Sequence, residues 1–399
     1  MPLRSLSNGP QPKPEPPTET ASYEVIIAGL GAMGSAAAYH LAKASRSVLG
    51  LDRFRPPHSL GSSHGLTRII REAYFEHPLY VPLVQRAYQL WADLERQSGQ
   101  RLFRQTGGLM IGPPDGPLVS GARRSAELHK LPYELLSAAQ IQQRFAAFRI
   151  PGNMVAVAEP RAGILFPERA IQTHLDLAVK AGAVVRFDEP VLAWKPRGNG
   201  VEVATGQKTY RAEYLIISAG PWATSLLGDL HLPLTIERQV LLWFEPQSHP
   251  ESFKPESLPI FICQHSDSGF FYGLPDLGDG VKAAVHHAGL PADAESVNRE
   301  LSEEDLLAVR QRLQDFLPDA NGPLRSAAIC LYTNAPDEHF VFGFHPACPR
   351  VIVVSPCSGH GFKFSPVIGE LAAALAMGRD PVFDLKLFNP NRFARAATA

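Results

Sequence analysis

Four groups of residues in this chain have the types and spacing to do chemistry. The first is Gly29-Leu30-Gly31-Ala32-Met33-Gly34. In such a turn the first glycine permits a tight bend, the second lets backbone approach a pyrophosphate, and the third lets a helix pack closely on a sheet. The pyrophosphate sits at the helix N-terminus, where unpaired N–H groups favour an anion. Asp52 follows at the end of the next apolar run, where a carboxylate can accept ribose hydroxyls. The pattern predicts a bound dinucleotide and does not by itself separate NAD from FAD.

The second group is His64, Arg68 and Arg71. Read as helix, these stand at i, i+4 and i+7 on one face, with Ile69 and Ile70 turned away. Such a face either binds a phosphate or carboxylate, or is a solvated basic surface. The third is Lys282 and His286, which alternate with Val281, Ala283 and Val285. In a strand they share one side, lining a cavity or facing solvent. The fourth is Ser358-Gly359-His360-Gly361-Phe362-Lys363. Gly359 and Gly361 put bare N–H groups near a helix start with Lys363 beside them. That either suits negative charge, as on the N1–C2=O edge of a reduced flavin, or is an ordinary glycine loop. No close set of Cys and His ligands appears, so no metal site is expected.

These residues need elements to hold them. Tyr23–Ala28 reads as a buried strand, Ser35–Lys43 as a helix and Ser47–Leu51 as a second strand. Tyr80–Gln97 reads as an amphipathic helix, with Leu83, Ala87, Leu90 and Leu94 at helical spacing. Phe103–Gly112 reads as a strand with a Gly-Gly turn, and Glu168–Lys180 as a helix. Tyr214–Ser218 is an apolar strand ending in small residues beside the first unit. Gly269–Pro275 and Val281–His286 flank a Gly/Asp turn and predict a hairpin. Val351–Ser355 is another apolar strand. The helix after it takes Ser365 as N-cap and Pro366 as first residue, carries a stripe of Val367, Leu371 and Leu375, and stops at Gly378.

Composition narrows the function classes. The chain has 399 residues, 45% hydrophobic and 19% charged, which excludes a disordered chain. Lys plus Arg number 38 and Asp plus Glu 39, a net charge of −1, so the basic excess of a general nucleic-acid binder is missing. Four cysteines are too few for a disulfide scaffold. No apolar run reaches the ~18–20 residues of a membrane span. Residues 1–22 are rich in Pro, Ser, Thr and Glu and read as a disordered leader with no secretory h-region, making the cytoplasm the default location.

With these motifs in this order, the chain resembles the monomeric sarcosine oxidase family of amine-oxidising flavoenzymes, which includes N-methyltryptophan and pipecolate oxidases. The resemblance runs from about Tyr23 to about Phe393. It is carried by GLGAMG, by DRFRPPHSLGSSHGLTRIIR at Asp52–Arg71 and by AGPW at Ala219–Trp222. Nearer the C-terminus it is carried by CLYTNAPDEHF at Cys330–Phe340 and SGHGFKF at Ser358–Phe364. It implies an α/β fold: a glutathione-reductase-type FAD-binding Rossmann domain plus a smaller α+β substrate domain with a mostly antiparallel sheet. On that reading 23–95, 155–235 and 325–395 form the FAD domain, and 96–154 and 236–324 the substrate domain.

The resemblance also implies roles. FAD would be attached through its 8α-methyl to Cys330. Gly29, Gly31, Gly34 and Asp52 would hold its ADP half. His64, Thr67 and Arg68 would lie along the flavin, with Gly359, His360, Gly361, Phe362 and Lys363 as a further cofactor loop. Arg71 and Lys363 would clamp a substrate carboxylate, and Tyr272, His286 and Tyr332 would line the substrate cavity. Lys282 would promote reaction with oxygen; with Arg68, His286 and Tyr272 it makes the catalytic set. Leu66 and Cys357 depart from the family pattern, and Cys263 and Cys348 are expected to pack. The implied activity is oxidation of a secondary α-amino acid (sarcosine, another N-methyl amino acid or L-pipecolate) to an imine, O2 becoming H2O2. A flavin dehydrogenase feeding a protein acceptor is the alternative. The family also implies a monomer whose partners are a small amino acid and O2.

Overall fold

A computed structural model describes residues 21–393. Of the leader expected at 1–22, all but Ala21 and Ser22 lies outside the described residues, and Ser22 opens the first strand. That strand is Ser22–Ala28, and its last four residues, Val25 to Ala28, are apolar because they are covered on both faces. It pairs in parallel with Val48–Leu51 on one side and Thr209–Ile217 on the other. Val184–Arg186 and Cys348–Ser355 extend the parallel core. Two antiparallel partners, Gly200–Thr205 and Val341–His345, flank it, and Val191–Arg197 completes the eight strands. The helix Ala32–Lys43 packs against both Pro167–Lys180 and Ser365–Ala376 on this sheet.

A second eight-stranded sheet runs Leu324–Asn334, Thr235–Phe244, Val281–His286, Phe270–Leu274, Ile260–Gln264, Gly108–Gly112, Val155–Glu159 and Glu134–Ser137. Every neighbouring pair is antiparallel except Ile260–Gln264 with Gly108–Gly112. One face carries a core of Phe244, Phe261, Phe271 and Phe316. The expected hairpin is present, with Tyr272 opposite Ala284 and Leu274 opposite Lys282. A third sheet of three short strands, Arg68–Ile70, Gly163–Leu165 and Phe103–Gln105, completes the set.

Several sequence expectations need correction. Arg68–Ile70 is a strand, not a helix, so the i, i+4, i+7 argument for His64, Arg68 and Arg71 fails. The Ile-Ile pair suits a strand, and Gly163–Leu165 supplies its hydrogen-bond partner. Phe103–Gly112 is two strands in different sheets, broken at Thr106-Gly107 where Gly107 has φ +72°. Ser365 is the first helical residue and Phe364 the cap, which moves Pro366 one place inward. The divisions drawn at 155 and 325 cut through the second sheet, because Val155–Glu159 and Leu324–Asn334 both pair there. Those pairings join segments far apart in the chain.

Candidate active site

The strand Ser22–Ala28 runs straight into the glycine turn. Gly29 has φ +94°, and a Cβ there would lie 2.5 Å from the Ser218 carbonyl oxygen. A Cβ on Gly34 would lie 1.8 Å from the Gly29 oxygen, so the helix can start this close only without a side chain. Around Gly31 nothing stands within 4 Å, leaving that face of the turn open. Asp52 is buried; its Oδ2 accepts the Leu30 N–H at 2.6 Å and its Oδ1 the Phe54 N–H at 2.8 Å. Burial pushes its carboxyl up while those two N–H groups pull it back.

One cavity opens at this turn. Its lining joins Gly29, Gly31, Asp52 and Trp222 to Ser62, Thr67, Arg68, Lys282 and Cys330 and to Arg71, Tyr272, His286, Tyr332 and Lys363. Gly359, His360, Gly361 and Phe362 also line it. Gly34 packs against the turn, and His64 is buried; neither lines the cavity. Among the described residues, Ser62 Oγ, His64 Nε2, Trp222 Nε1 and Ser355 Oγ are buried without a hydrogen-bond partner. Unpaired buried polar atoms are costly, so groups like these fit a polar ligand such as FAD along this cavity.

Arg68 and Cys330 meet in the cavity wall. Arg68 Nη2 donates to the Ser62 oxygen at 2.9 Å and lies 3.5 Å from Cys330 Sγ. Cys330 is buried on the strand Leu324–Asn334, opposite Gln239. Cys357 also lines the cavity, and its sulfur accepts the Thr333 N–H. Burial raises its thiol pKa, as it does that of Cys263 in the core. Cys348 is buried too. Leu66 is exposed, with φ +66°.

Lys282 is only 2% exposed, which settles the open question about its face: it points inward. Its Nζ donates to the Gly65 oxygen (2.7 Å), the Thr67 oxygen (2.9 Å) and Thr67 Oγ1 (3.3 Å). Burial and then the Arg68 charge push its pKa well below the usual lysine range. Against that, three acceptors match the three hydrogens of an ammonium, whereas a neutral amine would turn its lone pair on one of them. The same loop is held from the other side by Glu168, whose Oε1 accepts the N–H groups of Gly65 (2.7 Å) and Leu66 (3.0 Å).

Arg71 is buried, and its Nη2 contacts both oxygens of Glu76, at 2.6 and 2.8 Å. Its guanidinium lies over the rings of Tyr74 and Phe75. Burial raises the Glu76 pKa, but Arg71 outweighs that and holds it low. Lys363 Nζ donates to the His360 oxygen (2.6 Å) and to Tyr74 Oη (3.3 Å). Burial and Arg71 bring its pKa down to about 7. Glu159 accepts the N–H groups of Glu72 (2.5 Å) and Ala73 (2.7 Å), immediately after Arg71, and burial raises its pKa to about 7.

The histidines here are neutral. Burial lowers His64 and His360 to about 3, and His286 well below its ordinary value. His286 Nδ1 and Tyr332 Oη lie 3.4 Å apart, and Tyr272 meets His286 edge-on at 6.2 Å. The structure thus brings Arg68, Arg71, Tyr272, Lys282, His286, Cys330, Tyr332 and Lys363 to one cavity. Sequence reasoning missed the carboxylates that hold them: Glu76, Glu159 and Glu168. Nothing in their spacing marked them, except that Glu168 opens a helix. Among the described residues no group of three or more His, Cys, Asp or Glu side chains is placed to hold a metal, and no helix is long and apolar enough to cross a membrane.

Comparison with known proteins bears on this geometry. Residues 24–375 match the DAO family of FAD-dependent oxidoreductases. The chain is 43% identical over 379 residues to monomeric sarcosine oxidase of Streptomyces avermitilis, covering 94% of this chain and 99% of that protein. It is 37% identical over 373 residues to N-methyl-L-tryptophan oxidase of Yersinia pestis, covering 93% and 99%. Among solved structures, the amino acid oxidase NikD superposes with a TM-score of 0.82 at 24% identity, over 93% of this chain and 98% of its own. Glycine oxidase of Geobacillus kaustophilus gives 0.77 at 18% identity, over 94% and 99%. The two structural likenesses speak for the fold and the sequence matches for descent: this chain belongs to the DAO family of FAD-dependent oxidoreductases and, within it, to the monomeric sarcosine oxidase family.

Proposed function

We propose that the chain oxidises a secondary α-amino acid, such as sarcosine, another N-methyl amino acid or L-pipecolate, to an imine and passes the electrons to O2 as hydrogen peroxide. One observation carries this reading: two buried cations, Arg71 and Lys363, line the same cavity as the dinucleotide turn. FAD bound along it supplies the hydride acceptor and then the electrons that reduce oxygen. Everything else falls to the chain. Arg71 and Lys363 hold the substrate carboxylate, the first through its fork and the second as a point charge. Arg71 enters this task already committed to Glu76, so the incoming carboxylate competes with Glu76 for the guanidinium. The same cations lower the pKa of the substrate amine, which must shed a proton before hydride can leave its carbon. Tyr272, the neutral His286 and Tyr332 form the wall beside it. The Lys282 charge favours negative charge arising on oxygen. Its likeness to monomeric sarcosine oxidases supports a chain that works alone. Peroxide formation from a panel of secondary amino acids tests the activity; a panel with no response, flavin present, refutes it.

Cys330 is the proposed covalent attachment point for the flavin, supported by its place in the cavity lining beside Arg68. Acid precipitation of the purified protein leaves the flavin in the pellet, and Cys330→Ala releases it to the supernatant. Flavin that stays in the pellet with Cys330→Ala contradicts the assignment.

The Lys363 role has a pH signature. Its depressed pKa makes it an ammonium below about pH 7 and increasingly neutral above. Loss of that charge weakens carboxylate binding, so kcat/KM carries a limb that falls as pH rises through about 7, opposed by the rising limb of substrate amine deprotonation. Lys363→Met removes the falling limb and lowers kcat/KM by about tenfold or more. A falling limb that survives in Lys363→Met contradicts the role.

A further inference from the structure

We infer that His287 and Glu237 are a positioning pair that fixes the His286–Tyr332 wall of the substrate cavity and thereby sets how large an N-substituent the site prefers. This rests on the reading above that the wall faces the amino acid.

In a strand, successive side chains point to opposite faces. His287 follows the last residue of the strand Val281–His286, so a continued strand would send its ring away from that of His286. Instead its backbone is left-handed, with φ +52°, and the two rings come to 4.1 Å between centroids. The His287 ring also meets Tyr332 at 5.5 Å, nearly edge-on. A non-glycine residue in this conformation is unfavourable and persists only where its surroundings hold it.

Glu237 is what holds it. Its Oε2 lies 3.1 Å from His287 Nδ1. Glu237 is buried on the strand Thr235–Phe244, directly opposite Tyr332 in the sheet register. Its carboxylate also accepts the Gly289 N–H (2.8 Å), the Asn334 side-chain amide (2.5 Å) and the Gln239 side-chain amide. Asn334 lies two residues beyond Tyr332 on the Cys330 strand, so one carboxylate ties the turn after His286 to the strand bearing both. Glu237 forms no ion pair with a lysine or arginine among the described residues; three neutral donors and His287 serve it instead. Burying a carboxylate this way is demanding, and the arrangement it secures is the ring of His287 behind His286 and Tyr332.

The consequence is mechanical. His286 and Tyr332 both line the cavity, and His286 is closed in on its far side by the backbone at Gly359, where a Cβ would come within 2.5 Å of its ring. With His287 behind them the two rings cannot swing outward. The wall then stands at a fixed distance from the carboxylate clamp of Arg71 and Lys363, which limits the room beside the substrate nitrogen.

The test uses full-length, flavin-loaded enzyme and two variants. Glycine adopts positive φ freely, so His287→Gly keeps the backbone and removes the ring. His287→Asn tolerates the same backbone and keeps a polar link to Glu237, also without the ring. Both variants are expected to lower kcat/KM for sarcosine about tenfold, mostly through KM, as a loosened site costs orientation. Both should narrow the preference for sarcosine over N-ethylglycine. Reoxidation by O2 of chemically reduced enzyme and the thermal midpoint should stay near wild type. A purely structural tie predicts the opposite: His287→Asn restores wild-type kinetics, and only stability responds. That result, or variants that keep wild-type kcat/KM and selectivity, overturns the inference while the proposed function stands. A wild type that oxidises no secondary amino acid overturns both.

Discussion

Lys282→Met is expected to leave the enzyme reducible by its amino acid but slow its reoxidation by oxygen by about 10²–10³-fold, the usual effect of deleting one preorganised electrostatic donor. The argument is geometric. Lys282 is the cation whose three donors are all taken by one loop, through Gly65 and Thr67, which fixes its position in a dry site. A fixed charge in low dielectric favours a negative charge arising nearby and needs no reorganisation when it does. The proposed substrate clamp at Arg71 and Lys363 makes no hydrogen bond to Lys282, so the reductive half should change only a few-fold. Stopped-flow mixing separates the halves: anaerobic enzyme with substrate, then reduced enzyme with O2. Equal slowing of both halves, or neither, contradicts this role. Met preserves the length and apolar stem of Lys282, so packing against Trp243 is kept.

The second large effect belongs to Arg71. Arg71→Met strands the Glu76 carboxylate in a site where it is otherwise ion-paired on both oxygens. Breaking a buried pair by removing one partner costs about 3–5 kcal/mol of stability. The same change removes the fork from the substrate carboxylate and should lower kcat/KM by about 10²–10³-fold. Stability and activity then part company in the double variant Arg71→Met/Glu76→Gln. With no stranded charge, most of the stability returns, while the activity stays lost. Thermal midpoints and kcat/KM on the three proteins check this. Recovery of activity along with stability would mean that Arg71 acts through folding and not through the substrate.

The sequence carried more of the cofactor end than of the substrate end. The glycine turn was legible because its geometry allows few alternatives: at Gly29 and Gly34 a Cβ would collide with backbone, and no other residue fits. Segments such as Val25–Ala28 and Val351–Val354 were legible because burial on both faces makes them continuously apolar. Arg68–Ile70 was not. Three residues carry no period, and the strand exists only because Gly163–Leu165 lies alongside. The burial of Lys282 was equally hidden, since a lysine on an alternating strand looks like a solvent contact until the Gly65–Thr67 loop is folded onto it. Glu76, Glu159, Glu168 and Glu237 were invisible for a common reason. Each works by accepting donors, many of them backbone N–H groups, and a carboxylate's partners leave no mark on its sequence neighbourhood. The resemblance to a known family named the groups proposed to meet substrate and cofactor; the structure adds the acids that hold them.

The most direct test of the account follows one sample through both half-reactions. Purified, flavin-containing enzyme is mixed without oxygen with sarcosine, N-methyl amino acids and L-pipecolate in turn, and then opened to air. The account predicts that at least one of them bleaches the flavin, that air restores the colour, and that one hydrogen peroxide appears per flavin reoxidised. A flavin that no secondary amino acid bleaches contradicts the proposed substrate class, and a bleached flavin that air fails to restore contradicts oxygen as the acceptor.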